Sequence, residues 1–290
     1  MSLVIGEISY TNILPMFYHL DRQMLKQANC HFTPQVPAQL NKAMAADQVD
    51  IGGISSFAYA ANAGAYTLLP NLSVTSYGNV NSIFLFSKLP IEQLNEKKIA
   101  LTSSSATSVH LLKIILEHFY SFGVQYTTMK PDFTAMLREH DGCLLIGDDA
   151  IRAKRSLPDG LFSYDLGEIW YKQTGLPMVY AVFAVRNEAI NKRAELVGTV
   201  YQSFLASKQL SEELNYQPMI ADIVKTHGGS EDFWNLYFQQ LCNDFGETEQ
   251  RGLLYFYRLA YQLGYLQQPV DKLAIWNSVL TKKMLANNEL

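Results

Sequence analysis

Thr102-Ser103-Ser104-Ser105-Ala106-Thr107-Ser108 carries six hydroxyls in seven positions. The run joins a strand-like apolar segment to a helical one. A helix N-terminus leaves its first backbone N–H groups unpaired, and such a turn can hold an anion. One Ser or Thr suffices for capping alone. The hydroxyl density therefore points to an anion site built from Ser104, Ser105, Ala106 and Thr107. The glycines and lysine of a phosphate-binding P-loop are missing. Ser55-Ser56 opens another helix after a strand. Alone, this pair reads as a plain N-cap. Set across a cleft from 104–107, it makes a second anion-holding helix end, and two such ends suit a ligand with two carboxylates.

Other candidates stand at the ends of strand-like runs, where open α/β sheets bind ligands. Asn12 follows the first strand and reads either as a turn residue or as a group that orients a ligand hydroxyl. Ser82 begins an apolar run and reads as a strand-edge serine or as the floor of a cleft. Gly147-Asp148-Asp149 closes another strand, with Asp149 read as an N-cap. Two adjacent carboxylates with no histidine nearby do not make a metal site. The six histidines show no ligand spacing. Nucleophile-elbow and dinucleotide fingerprints are absent, and no Ser/His/Asp triad suggests itself.

These strand ends require a sheet to align them. Strand patterns at 4–9, 32–36 and 50–54 alternate with helical patterns at 14–27, 38–46 and 56–62. The alternation predicts a parallel sheet with crossover helices. Extended runs follow at 68–75 and 82–88. The same plan then repeats, with strands at 98–102, 124–129 and 143–146 and helices at 107–119 and 133–139. Residues 50–58 and 143–150 match in pattern but not identity, which points to duplication. A long apolar strand at 176–186 returns the chain to the first lobe, as 82–88 carried it out. Helical periodicity fills 195–207, 212–225, 230–241 and 249–263. The expectation is a two-lobed α/β protein with two crossing hinge strands and a helical C-terminal region. The first lobe takes 1–88 and 184–290, and the second takes 89–183. A cleft with a hinge allows a ligand to close one lobe on the other.

The 290 residues suit two such cores. A net charge of −4 without a basic stripe argues against nucleic acid and anionic membrane as partners. No apolar run approaches the ~18 residues of a membrane span. No basic stretch with a long apolar run precedes residue 4, so no secretory leader is expected and the location read is cytoplasmic. Cys30, Cys143 and Cys242 are far apart and odd in number, as buried thiols in a reducing compartment would be. Leu254-Tyr255-Phe256-Tyr257 reads as core.

Several segments together resemble the chorismate dehydratase family of menaquinone biosynthesis by the futalosine route. They include Ile8-Ser9-Tyr10-Thr11-Asn12-Ile13-Leu14-Pro15, Asp50-Ile51-Gly52-Gly53-Ile54-Ser55-Ser56, 100–108, Leu145-Ile146-Gly147-Asp148-Asp149-Ala150 and Tyr164-Asp165-Leu166-Gly167. They occur in the family's order across 4–186. The resemblance implies a periplasmic-binding-protein type II fold. It also implies conversion of chorismate to 3-[(1-carboxyvinyl)oxy]benzoate and water, by a carbon–oxygen lyase with no cofactor. The family's catalytic Asn and Ser fall on Asn12 and Ser82. The turn before Ser82, Gly78-Asn79-Val80-Asn81, departs from the family's more Gly/Pro-like pattern. A sibling cyclase family carries a catalytic His at the turn matching Gly147-Asp148, and no His stands there. The alternative is a solute-binding or sensor protein for a small aromatic or dicarboxylic acid, since one fold hosts many functions.

Overall fold

The computed structural model describes residues 2–277. Its strands, in chain order, are β1 (Leu3–Ile8), β2 (Cys30–Gln35), β3 (Ile51–Ser55), β4 (Tyr66–Ser76), β5 (Ile83–Ser87), β6 (Lys98–Thr102), β7 (Gln125–Met129), β8 (Gly142–Ile146), β9 (Phe162–Asp165), β10 (Met178–Arg186) and β11 (Leu241–Cys242). They form two sheets, ordered β11-β4-β10-β3-β1-β2 and β7-β6-β8-β5-β9. In the first, β1 pairs parallel with β2 and β3, and β10 runs antiparallel beside β3. In the second, β6 pairs parallel with β7 and β8, and β5 runs antiparallel beside β8. Each sheet thus has three parallel strands completed by the strand that enters after a crossing.

The helices are α1 (Arg22–Gln27), α2 (Pro37–Ala45), α3 (Ser56–Ala61), α4 (Ala106–Ile114), α5 (Phe133–Glu139), α6 (Gly147–Arg155), α7 (Leu166–Thr174), α8 (Asn187–Glu213), α9 (Gln217–His227), α10 (Glu231–Gln240) and α11 (Glu247–Gln262). The helix expected over 14–27 divides in two. Pro15 lies inside a short 3₁₀ turn, Thr11–Met16, and Asp21 caps a separate α1 by accepting from Met24 N at 2.8 Å. The helix expected over 107–119 ends its α-helical part at Ile114 and closes in a wider π turn, Ile115–Phe119. Helix α8 continues through the break expected after 207, with a kink at Arg193. Sequence periodicity did not reveal β9 or α7.

Strand Ile83–Ser87 lies wholly in the second sheet, and Met178–Arg186 wholly in the first. The passages between sheets are therefore residues 77–82 and 166–177. We propose a division along the sheets, which draws the borders expected at 88/89 and 183/184 back into those two passages. Residues Met178–Val185 are buried, as befits a strand covered on both faces.

One carboxylate joins the passages. Asp165 is 4% exposed and caps α7 by accepting from Gly167 N at 2.9 Å and Glu168 N at 3.1 Å. It also accepts from Val80 N at 3.1 Å and Asn81 N at 2.7 Å. Burial pushes its pKa up, and the four N–H groups oppose that rise. Gly167 sits so close to the other passage that a Cβ there would stand 2.4 Å from Gly78 O.

The lobes also meet ring to ring. His110 of α4 stacks on Phe57 of α3, with centroids 3.6 Å apart and planes within 4°. Arg155 of α6 lies over Phe233 and Trp234 of α10, at 4.7 and 5.3 Å from the ring centroids. The three cysteines are free, and no helix among the described residues is long and apolar enough to cross a membrane.

Replacing Asp165 by Ala strands four backbone N–H groups in the interior. It is expected to lower unfolding free energy by about 3–5 kcal/mol, read as a shift in the urea midpoint. His110 provides a pH signature. Burial lowers its pKa from 6.5 to about 4, so below pH 6.5 the unfolded chain binds a proton that the folded chain refuses. This stabilising contribution is whole above pH 6.5 and is lost as pH falls towards 4, at most about 3 kcal/mol. Urea titrations across that range should show the slope in the wild type and a flatter profile in His110→Phe.

Candidate active site

The carboxyl ends of β1, β3, β6 and β8 converge where the two lobes meet. A cleft of about 440 Å³, counted to its open mouth, lies between them. Its polar lining comes from Tyr10, Asn12, Ser55, Ser105, Ser108 and Tyr180. Ile8, Ile83, Ile146 and Ala181 supply apolar walls. No lysine or arginine is among the lining residues. An anion held here would rely on N–H groups, hydroxyls and the N-terminal end of α4.

Each polar group is placed by local backbone chemistry. Asn12 lies in the 3₁₀ turn that follows β1 and is half-buried. Ser105 caps α4, accepting from Ser108 N at 3.1 Å, and its hydroxyl donates to Ser108 Oγ at 3.1 Å. Tyr180 reaches the cleft because the β4–β10 register shifts between Val179 and Ala181. Such a bulge re-aims the extra residue. Its hydroxyl lies 3.0 Å from Ser76 Oγ. Gly147 begins α6 at φ +58°, a conformation that favours glycine. A Cβ there would stand 3.1 Å from the Tyr10 ring, so the glycine also lets Tyr10 pack flat over the turn. Burial raises the pKa of the Tyr10 hydroxyl, and Ser104 beside it opposes that rise.

The two helix ends expected to face a ligand face each other. Ser55 Oγ lies 2.6 Å from Thr107 Oγ1, and Ser56 Oγ 3.1 Å from it. Phe57 N donates to Thr107 Oγ1 at 3.0 Å, and Thr107 N to Ser55 Oγ at 3.2 Å. Ser56 Oγ donates to Val179 O at 2.7 Å. Ser56 and Thr107 thus latch the lobes in this closed arrangement, while Ser55 serves the latch and the cleft wall together. Ser104 stands in the turn before Ser105, and Ala106 opens α4 after it.

Asp148 is also an inter-lobe contact. Thr11 donates to it at 2.8 Å, and His227 Nε2 lies 3.6 Å from its other oxygen. Burial raises its pKa, while Thr11 and His227 pull it down. It borders a small second pocket with Arg152, Arg155 and Trp234 rather than the main cleft. Asp149 pairs at 2.7 Å with Arg152. Among the described residues no cluster of three or more His, Cys, Asp or Glu is placed to hold a metal.

Ser82 does not line the cleft. It is fully buried just behind Ile83, and its carbonyl accepts from Gly147 N at 2.7 Å. Its hydroxyl faces Tyr237 at 3.2 Å and its own turn, donating to Val80 O at 3.3 Å. Sequence reading places Tyr10 and Ser108 at ligand-facing strand ends without giving either a site role, and misses Tyr180 and Tyr237. Ser108 belongs to the same hydroxyl run and was within reach. Tyr180 and Tyr237 sit in apolar strand and helix patterns that signal packing only.

Comparisons with known proteins agree with this architecture. A family model described as menaquinone biosynthesis matches residues 3–262. The chorismate dehydratase of Thermus thermophilus is 34% identical over 199 residues, covering 64% of this chain and 70% of that protein. The chorismate dehydratase of Campylobacter jejuni is 28% identical over 197 residues, covering 66% and 71%. Among solved structures, a protein from Archaeoglobus fulgidus aligns with a TM-score of 0.73 at 19% identity, covering 91% of this chain and 98% of that one. The periplasmic aliphatic sulphonate binding protein of Escherichia coli aligns at 0.67 with 16% identity, covering 95% and 92%. The fold is that of the two-lobed periplasmic binding proteins, and the chain belongs to the menaquinone-biosynthesis family.

Proposed function

We propose that this protein is a chorismate dehydratase, converting chorismate to 3-[(1-carboxyvinyl)oxy]benzoate and water as a cofactor-independent carbon–oxygen lyase of the cytoplasm. The observation that carries the reading is the cleft itself. An amide, Asn12, and the hydroxyls of Ser55, Ser105 and Ser108 line one cleft between the lobes, within a family of menaquinone biosynthesis. The curated relatives named above act on chorismate by dehydration.

The reaction asks little of a protein base. Chorismate carries two carboxylates, a ring hydroxyl and an acidic ring C–H beside its ether. The C–H proton and the hydroxyl leave together as one water, and the new double bond completes an aromatic ring. Product stability drives the step, so the enzyme's task is to position and polarise. No side chain lining the cleft is an evident base. In this reading the substrate's own enolpyruvyl carboxylate takes the proton. Asn12 holds the reacting hydroxyl or enolpyruvyl group. The N-terminal end of α4, with Ser105 and Ser108, receives a carboxylate. Ser55 with Ser56 and Thr107 forms the second helix end, freed for the other carboxylate when the lobes part. Ser82, buried behind Ile83 in this arrangement, enters as the second reacting group when the lobes move, Gly147 shapes the wall, and Asp148 acts from outside it by anchoring Thr11 next to Asn12.

The likeness to a sulphonate binding protein supports a second reading, a solute-binding or sensor protein for a small aromatic or dicarboxylic acid. Incubation with chorismate and no added cofactor, followed by mass and ultraviolet absorbance, separates the two. Loss of one water above the spontaneous background is the expected result. Asn12→Ala and Ser82→Ala should each slow turnover about a hundredfold or more. Unchanged chorismate from folded protein would favour the binding reading, and near-wild-type rates in both variants would sink the assigned roles.

A further inference from the structure

Ser82 has little of its own to fix its hydroxyl. Within its turn it has only the long bond to Val80 O at 3.3 Å. The residue that meets it comes from far along the chain. Helix α10 is capped by Ser230, which accepts from Phe233 N at 3.2 Å. The helix buries Trp234, Tyr237 and Phe238 against the body of the protein. Tyr237 is 1% exposed, and its hydroxyl donates to Ser82 Oγ at 3.2 Å. The Thr11 hydroxyl is its second polar neighbour. Thr11 immediately precedes Asn12 and is itself anchored to Asp148 at 2.8 Å. One phenol therefore touches both segments that carry the proposed reacting groups.

We propose that Tyr237 is a positioning residue for the dehydration. Its buried hydroxyl fixes the rotamer and hydrogen-bond direction of Ser82. The inference rests on the assignment of Ser82 and Asn12 above. Tyr237 donates into a lone pair of Ser82 Oγ, and the serine's own proton, held here by the long bond to Val80 O, is the one it can turn to the departing hydroxyl when that bond is exchanged. Burial pushes the phenol's pKa far up, so Tyr237 stays neutral and acts only through its O–H dipole. This gives the C-terminal helices a chemical task in addition to packing.

The test is Tyr237→Phe, which keeps the ring and removes one oxygen. On wild type that dehydrates chorismate, kcat per folded molecule should fall about tenfold while KM changes less than about twofold, the signature of one lost orienting hydrogen bond. In a Ser82→Ala background the same change should cost nothing further, because Tyr237 acts through Ser82. Should the Phe variant fold poorly, 3-fluorotyrosine placed at 237 gives a second readout. It keeps the shape, makes a stronger donor and should raise kcat. Wild-type kcat in Tyr237→Phe with only a lower melting temperature, an equal loss in the Ser82→Ala background, or a fluorotyrosine kcat equal to wild type would overturn the inference and leave the dehydratase reading intact. A wild type that makes no product would remove the reading and the inference together.

Discussion

Two sheets can share a cleft only if both chain passages between them hold one geometry. Asp165 supplies that constraint. Its carboxylate accepts four backbone N–H groups, two from 80–81 and two from the first turn of α7. Charged acceptors make the stronger hydrogen bonds, and burial leaves no water to replace them. The arrangement sets the turn that ends at Ser82 and the point where the chain re-enters the first sheet. Gly167 permits the close approach that this requires.

Around that fixed passage the cleft side of the lobes closes through a cluster of neutral hydroxyl contacts, beside the charged contacts of Asp148 and Arg155. The hydroxyls of Ser55, Ser56 and Thr107 satisfy one another and the backbone N–H groups beside them. Neutral bonds of this kind contribute about 1 kcal/mol each net of water, so a ligand offering better acceptors competes with them readily. The Phe57–His110 stack adds apolar contact at the same border. A closed cleft held by weak, exchangeable bonds serves a binding protein and an enzyme equally well. The polar lining and the family then carry the distinction between them.

The C-terminal helices bear on the same centre. α9 brings His227 to Asp148, α10 brings Tyr237 to Ser82, and Tyr257 of α11 donates to Ser56 O at 2.6 Å. All three contacts reach elements that bound the cleft. Sequence periodicity in this region reports only the apolar faces, because a tyrosine inside such a face reads like any other aromatic. The run 254–257 divides accordingly. Phe256 and Tyr257 are core, while Leu254 and Tyr255 are partly buried at its margin.

The sequence by itself determined the alternation of strands and helices, the repeated order, the hydroxyl-rich turn at 102–108 and the position of Asn12 after the first strand. These follow from periodicities and end signals that act over a few residues. It misjudged the helix over 14–27, where Pro15 and the Asp21 cap impose a break within an apolar pattern. It passed over β9, a four-residue partly exposed edge, and α7 behind it. Tertiary structure alone decided which sheet claims Ile83–Ser87 and Met178–Arg186, since both strands are buried and apolar alike. It also decided that Ser55 and Ser56 would meet Thr107, that Asp148 would turn to Thr11 and His227, and that Ser82 would rest against Tyr237. Those partners stand 51 to 155 residues apart in the chain where hydrogen bonds join them. Contacts at such separations depend on how whole lobes pack, and no local pattern of residue types encodes that.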